Sequence, residues 1–167
     1  MDTNDFLHEQ YFLKIGLEIH VELPIKNKSF SLEKREGVSI TSLGYLGTLP
    51  QVNTEAIRMG LRVARALNSK LASEVTFERK AYLYFDLPRG YQISQYLNPI
   101  GRNGYIFLPQ TLKKIPIRSV VIEEDTAAHS GESEGYTIST KRLGVPLIEI
   151  VTEPVFKSSE EAVECAK

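Results

Sequence analysis

Leu13-Lys14-Ile15-Gly16-Leu17-Glu18-Ile19-His20-Val21-Glu22-Leu23 alternates strictly between apolar residues and others. Successive side chains on a strand leave opposite faces, so Leu13, Ile15, Leu17, Ile19, Val21 and Leu23 share one face. Lys14, Gly16, Glu18, His20 and Glu22 share the other. The pattern predicts a strand that buries its apolar face and carries acids and an imidazole on its second face. Upstream, residues 1–12 begin Met1-Asp2-Thr3-Asn4-Asp5 and read as a flexible, polar lead-in, not a secretory signal.

Downstream, residues 24–50 read as irregular, with Gly37, Gly44 and Gly47 at turns. Asn53 or Thr54 caps a helix running to about Leu67, with Ile57, Leu61, Ala64 and Leu67 on its buried face and Asn68 as its stop. Val75 to Phe85 predicts a second strand, ended by Asp86-Leu87-Pro88-Arg89-Gly90. Gly101-Arg102-Asn103-Gly104 reads as a hairpin turn before a strand over Tyr105 to Leu108. Further strands are expected over Ile115 to Glu123 and Val145 to Val151, with a loop at 130–135 between them. Ser158-Ser159-Glu160-Glu161 is a capping box opening a helix that reaches Lys167 after about two turns. The strands are mostly not separated by helices. An α+β fold follows, with a mostly antiparallel or mixed sheet, one full helix and a truncated C-terminal one. Residues 13–167 are expected to form a single, incomplete domain, the front of something longer.

The 20 basic and 21 acidic residues nearly cancel, so this piece carries no strong electrostatic footprint for nucleic acid. Its single cysteine, Cys165, excludes an internal disulfide framework or a cysteine-rich zinc site. No apolar run approaches the roughly 20 residues of a membrane span, and a cytoplasmic protein is expected. Nothing matches G-x-x-x-x-G-K-[ST] or G-x-S-x-G. His8 and His129 read as exposed bystanders, and Tyr82, Tyr84 and Tyr91 as packing rings with free hydroxyls.

Acids that interrupt apolar strands carry the chemical interest. Glu18 and His20 leave the same strand face, Glu124 ends a strand in Glu123-Glu124-Asp125, and Glu149 sits inside Pro146-Leu147-Ile148-Glu149-Ile150-Val151. A carboxylate there is costly unless it is paired or bound to a cation. If the strands are neighbours, Glu18, His20, Glu124 and Glu149 converge as an oxygen-rich set that suits Mg²⁺, with Mn²⁺ open because of the imidazole. The competing reading has Glu18, His20 and Glu22 as a solvated strand face and Glu149 in a salt bridge with Arg142. Spacing alone leaves the two open.

The order of several blocks goes further. Ile15 to Leu23 resembles the opening of the aspartyl/glutamyl-tRNA amidotransferase B-subunit (GatB) family. The resemblance continues at Leu43-Gly44-Tyr45-Leu46-Gly47-Thr48-Leu49-Pro50, at Arg79-Lys80-Ala81-Tyr82, and at Asp86 through Tyr96. It returns at Ile122-Glu123-Glu124-Asp125 and closes over Arg142 through Pro154. The resemblance implies the N-terminal cradle of a protein that uses ATP and Mg²⁺ to phosphorylate the side-chain carboxylate of Glu-tRNA(Gln) or Asp-tRNA(Asn). Ammonia from the amidase A-subunit then displaces the phosphate. A small C-subunit completes the heterotrimer, and the tRNA is held mainly by later domains. The resemblance also implies Glu18, His20, Glu124 and Glu149 as metal ligands, with Glu124, Glu149 and Lys80 catalytic. Arg142, Ser94, Gln95 and Tyr82 are then expected to hold nucleotide or substrate.

The chain departs from the family pattern in places. Ser31, Glu33, Ser39 and Ser42 stand near the positions of four common zinc-binding cysteines, so no zinc is expected. Ala81 stands in the Arg-Lys-Asn-Tyr block, Val121 near a usual histidine, and Ser139-Thr140-Lys141 before Arg142. These changes keep a second expectation in view: a binding or assembly module that has lost turnover.

Overall fold

The computed structural model describes residues 12–132 and 135–167. The expected lead-in, Phe12 excepted, and His8 lie outside the described residues. The strands are β1 (Glu18–Glu22), β2 (Lys70–Leu71), β3 (Glu78–Ala81), β4 (Tyr91–Ser94) and β5 (Gly101–Phe107). They continue with β6 (Lys114–Glu124), β7 (Ala128–Glu132), β8 (Gly135–Ser139) and β9 (Pro146–Thr152). The helices are α1 (Thr54–Ala66) and α2 (Ser159–Ala166). A five-stranded sheet runs in the order β1-β9-β6-β5-β2, beside two-stranded sheets β3-β4 and β7-β8. Every pairing is antiparallel, so the α+β expectation holds.

Antiparallel register turns the period of two into cross-strand rows on each face. One face carries Ile19–Ile150–Val120–Gly101 and Val21–Ile148–Ile122. α1 lies on it. Its buried residues are Ala56, Gly60 and Ala64, spaced by four, so small side chains bring the helix close to the sheet. Ile57 and Leu61, expected at the centre of that contact, flank it half-buried instead. The Asn53 side chain caps α1 by accepting from the Glu55 amide, and Asn68 ends it with φ of 53° in the left-handed region. The Ser158 hydroxyl accepts from the Glu161 amide and so caps α2, while the Glu161 carboxylate accepts from the Lys157 amide, one residue before the one a reciprocal capping box uses.

The structure corrects four local expectations. Gly101-Arg102-Asn103-Gly104 belongs to β5 and is not a hairpin turn. Its glycines let the strand pass beneath α1: a Cβ on Gly101 would lie 2.6 Å from the Ala64 Cβ, and one on Gly104 2.5 Å from the Leu67 carbonyl oxygen. The second predicted strand shrinks to β3, and much of the expected loop at 130–135 is the β7-β8 hairpin. β1 is shorter than the alternation suggests, and Leu13 and Val21 are exposed, because β1 is an edge strand paired only with β9.

Candidate metal and nucleotide groove

The second face of the sheet carries the chemistry. Its rows are Glu18–Val151–Ser119–Arg102, His20–Glu149–Val121, and Glu22–Leu147–Glu123. Three strands remote in sequence thus set Glu18, His20, Glu149 and Glu123 on neighbouring positions of one surface. One ligand atom each from Glu18, His20 and Glu149 lies within 4.8 Å of the others. The His20 Nε2 is 3.3 Å from a Glu149 oxygen and 3.4 Å from a Glu123 oxygen.

Glu123 takes the place expected of Glu124. Adjacent strand residues face opposite ways, so only one of the two acids can join His20. Glu124 turns to the other side, where it pairs with Arg89 and accepts from the Ile93 amide at 3.0 Å. Glu123 is buried and held by β4: the Ser94 hydroxyl donates at 2.6 Å, and the Gln92 side-chain amide lies 3.5 Å from its other oxygen. Gln92 also donates to the Glu124 carbonyl at 2.7 Å. Strand parity alone would have pointed to Glu123, had the buried run Val120-Val121-Ile122 not hidden which face was which.

Lys80 stands opposite Gln92 across β3-β4 and is exposed in the groove, close enough for its charge to act on Glu149. Tyr82 is half-buried; burial, then the charges of Asp86 and Glu123, raise its pKa and keep its hydroxyl protonated. Two expected residues are elsewhere. Gln95 is a backbone clamp, accepting from the Ile122 amide and donating to the Thr76 carbonyl, each at 3.0 Å, so both ends of its amide are occupied. Arg142 pairs with Asp125 through two bonds of 2.7 and 2.8 Å, not with Glu149. It borders a separate hollow of about 590 Å³ on the other side of His20.

The main groove has a volume of about 880 Å³. Glu18, Glu123 and Glu149 line its acidic end; Lys80, Ser94, Arg102 and Arg118 continue it. Burial pushes the Glu149 carboxyl above its ordinary pKa, and the charges of Glu123 and Glu18 push it further, against the pull of His20 and Lys80. Such crowding of acids is what a divalent cation relieves, and the donor set of carboxylates plus one imidazole fits Mg²⁺ or Mn²⁺.

The crowding has a consequence for stability. A carboxyl whose folded-state pKa is raised supports the fold fully below its ordinary pKa, and that support is lost as pH rises through the higher folded-state value. Metal-free protein is therefore expected to lose stability as pH climbs through the Glu149 titration, and Glu149→Gln to raise Tm at neutral pH. Thermal unfolding in chelator across pH checks this. A lower Tm for the variant at pH 7 would make Glu149 a structural partner instead.

Ser39 and Ser42 are buried in one turn, where the Ser42 amide donates to the Ser39 hydroxyl at 2.9 Å. The Ser31 hydroxyl and one Glu33 oxygen are buried without a hydrogen-bond partner among the described residues. No helix among the described residues is long and apolar enough to cross a membrane.

Comparison with known proteins adds an independent line. Residues 13–167 match the family model described as the GatB/GatE catalytic domain. The B-subunit of the aspartyl/glutamyl-tRNA(Asn/Gln) amidotransferase of Mycoplasmopsis agalactiae is 47% identical over 158 residues, covering 89% of this chain and 33% of that protein. The proteins of the same name from Mycoplasmopsis synoviae and Geobacillus kaustophilus are 45% and 43% identical, with the same coverage. The chain spans about a third of the length of these curated relatives.

Proposed function

The chain belongs to the GatB/GatE catalytic-domain family, and from that premise we propose that it carries the ATP-using site of a tRNA-dependent amidotransferase. The site activates the side-chain carboxylate of Glu-tRNA(Gln) or Asp-tRNA(Asn) by phosphorylation. The observation that carries this reading is the convergence of Glu18, His20 and Glu149 from separate strands into a groove that also presents Lys80 and Ser94.

A free carboxylate resists ammonia because its leaving group would be oxide; transfer of the terminal phosphoryl group of ATP to a carboxylate oxygen releases ADP and supplies a better one. Mg²⁺ bound with ATP would neutralise charge on the phosphoryl group as it moves. Glu18, His20 and Glu149 are the residues that would hold that ion. Ser94 and Gln92 keep Glu123 aimed at the same cluster, so it supports the site without needing to move. The Lys80 ammonium, reaching in from β3, steadies a phosphate or carboxylate oxygen. Val121 and Val151 pave the floor between the acids and limit water near the reacting groups.

Ammonia from the amidase A-subunit, the small C-subunit and the grip on tRNA all belong to parts outside this chain's span, and a cytoplasmic setting follows from translation. A second reading, a module that binds without turnover, draws on Val121, which stands directly opposite Glu149 in the middle row. Calorimetric titration of the complete assembly with Mg²⁺ and ATP tests the first reading. Binding that is lost in Glu18→Ala supports it. Absence of any ATP binding by the unaltered assembly sinks it, and binding without tRNA-dependent ATP consumption favours the second.

A further inference from the structure

The cations of the groove are not equivalent. Arg118 is engaged by Glu153 through two bonds of 3.2 and 2.8 Å, and Arg79 stacks over the Tyr91 ring at 4.8 Å. Arg102 has no carboxylate partner among the described residues. Its one hydrogen bond, to the Leu97 carbonyl, uses a single N–H of the fork and fixes the side chain at the groove wall. Directly opposite it across β2-β5 stands Lys70, which also lacks an acid partner among the described residues. Like charges facing each other across a strand pair are destabilising, and an anion between them removes that cost.

The register gives the distance. Arg102 lies in the same row as Ser119, Val151 and Glu18, two strands from Glu149 and one row along. At about 4.8 Å between strands and about 3.4 Å per residue, its Cα is about 12 Å from that of Glu149. The groove therefore has an acidic end and, some way along the same floor, Arg102 and Arg118, with Glu78 on the same wall accepting from the Leu97 amide. Its volume of about 880 Å³ lies within the range of roughly 300–1,000 Å³ that holds small ligands.

We propose that Arg102, with Lys70 beside it, binds the phosphates of the nucleotide that lie beyond the reach of the cation at Glu149, a reading that rests on the nucleotide site proposed above. The planar fork of arginine suits bidentate phosphate binding, and its single bond to Leu97 leaves the remaining N–H groups for it. The ribose and base then fall toward exposed Tyr96 and Leu97, backed by buried Pro99, at the same end of the groove.

The test uses the complete assembly with Mg²⁺ and measures affinity for ATP, for adenosine and for misacylated tRNA, in unaltered protein and in Arg102→Gln, Arg102→Lys and Lys70→Ala. Arg102 is exposed, and thermal unfolding checks that each variant keeps its fold. The expected result is ATP binding about 10- to 100-fold weaker in Arg102→Gln, partly restored by lysine, with adenosine affinity unchanged. Unaltered ATP affinity in Arg102→Gln overturns the inference while leaving the nucleotide site standing. Weakened tRNA binding with unchanged ATP binding overturns it in favour of an RNA phosphate. No ATP binding by the unaltered assembly overturns the nucleotide site itself, and this inference with it.

Discussion

Glu149→Gln in the complete assembly is expected to lower ATP-dependent amide formation by about 10²-fold or more, with the fold intact. The carboxamide keeps the size of the side chain and removes its negative charge. Glu149 stands at the centre of the cluster, directly opposite His20 on one side and Val121 on the other. Glu18 and His20 are more exposed than Glu149, and without the central carboxylate they hold a divalent ion weakly. The same substitution relieves the crowding with Glu123 and Glu18 and so is expected to stabilise the metal-free protein. Lower turnover together with higher thermal stability separates a ligand from a structural acid, because a carboxylate in a stabilising salt bridge loses stability when neutralised. Amide formation assays at saturating ATP, run beside thermal unfolding, read both quantities. Turnover within about twofold of the unaltered enzyme, well inside one tenfold step, would remove Glu149 from the chemistry.

The second large effect concerns the acid that does not reach the groove. Arg89→Ala is expected to destabilise the fold by about 3–5 kcal/mol, the cost of leaving a buried charge without its partner. The Arg89 and Glu124 side chains are 4% and 2% exposed. Burial pulls the guanidinium below its ordinary pKa, yet it stays charged beside Glu124. The pair joins parts far apart in sequence: Arg89 also donates to the Tyr91 carbonyl at 3.3 Å and stacks over the Tyr91 ring, and Glu124 receives the Ile93 amide. Without Arg89, Glu124 keeps only that amide, since its second oxygen is already buried with no partner among the described residues. Replacing both ends with apolar groups of similar size, Arg89→Met with Glu124→Leu, is expected to recover much of the loss. Urea unfolding measures all three variants. A cost below about 1 kcal/mol for Arg89→Ala would be that of a solvated surface pair.

The contrast between Glu123 and Glu124 shows how far the sequence was legible. Alternation from Leu13 to Leu23 placed Glu18 and His20 on one face, because one side of β1 is apolar and the other is not. Glu149 was legible as a charge inside an apolar strand. The caps of both helices were legible from Asn53, Ser158 and Glu161, whose side chains act within four residues. β6 was harder: Val120, Val121 and Ile122 are all buried, since both faces of the central sheet are covered there, and the period of two disappears. Choosing between two adjacent glutamates then requires the register with β9, which no local pattern contains. The partner of Arg142 was hidden for a related reason. It sits on a turn and bonds Asp125, whereas the competing reading paired it with Glu149, the nearer acid in the chain. Gly101 and Gly104 carried turn signals, but they answer to α1 passing overhead, a contact between segments about 40 residues apart.

Location of Mn²⁺ by its anomalous scattering, in crystals grown with ATP, tests the shared cation site most directly. The expected peak lies within bonding distance of carboxylate oxygens of Glu18 and Glu149, beside His20, with no peak at Glu124. A peak elsewhere in a nucleotide-loaded crystal, or nucleotide bound away from these three side chains, would contradict it.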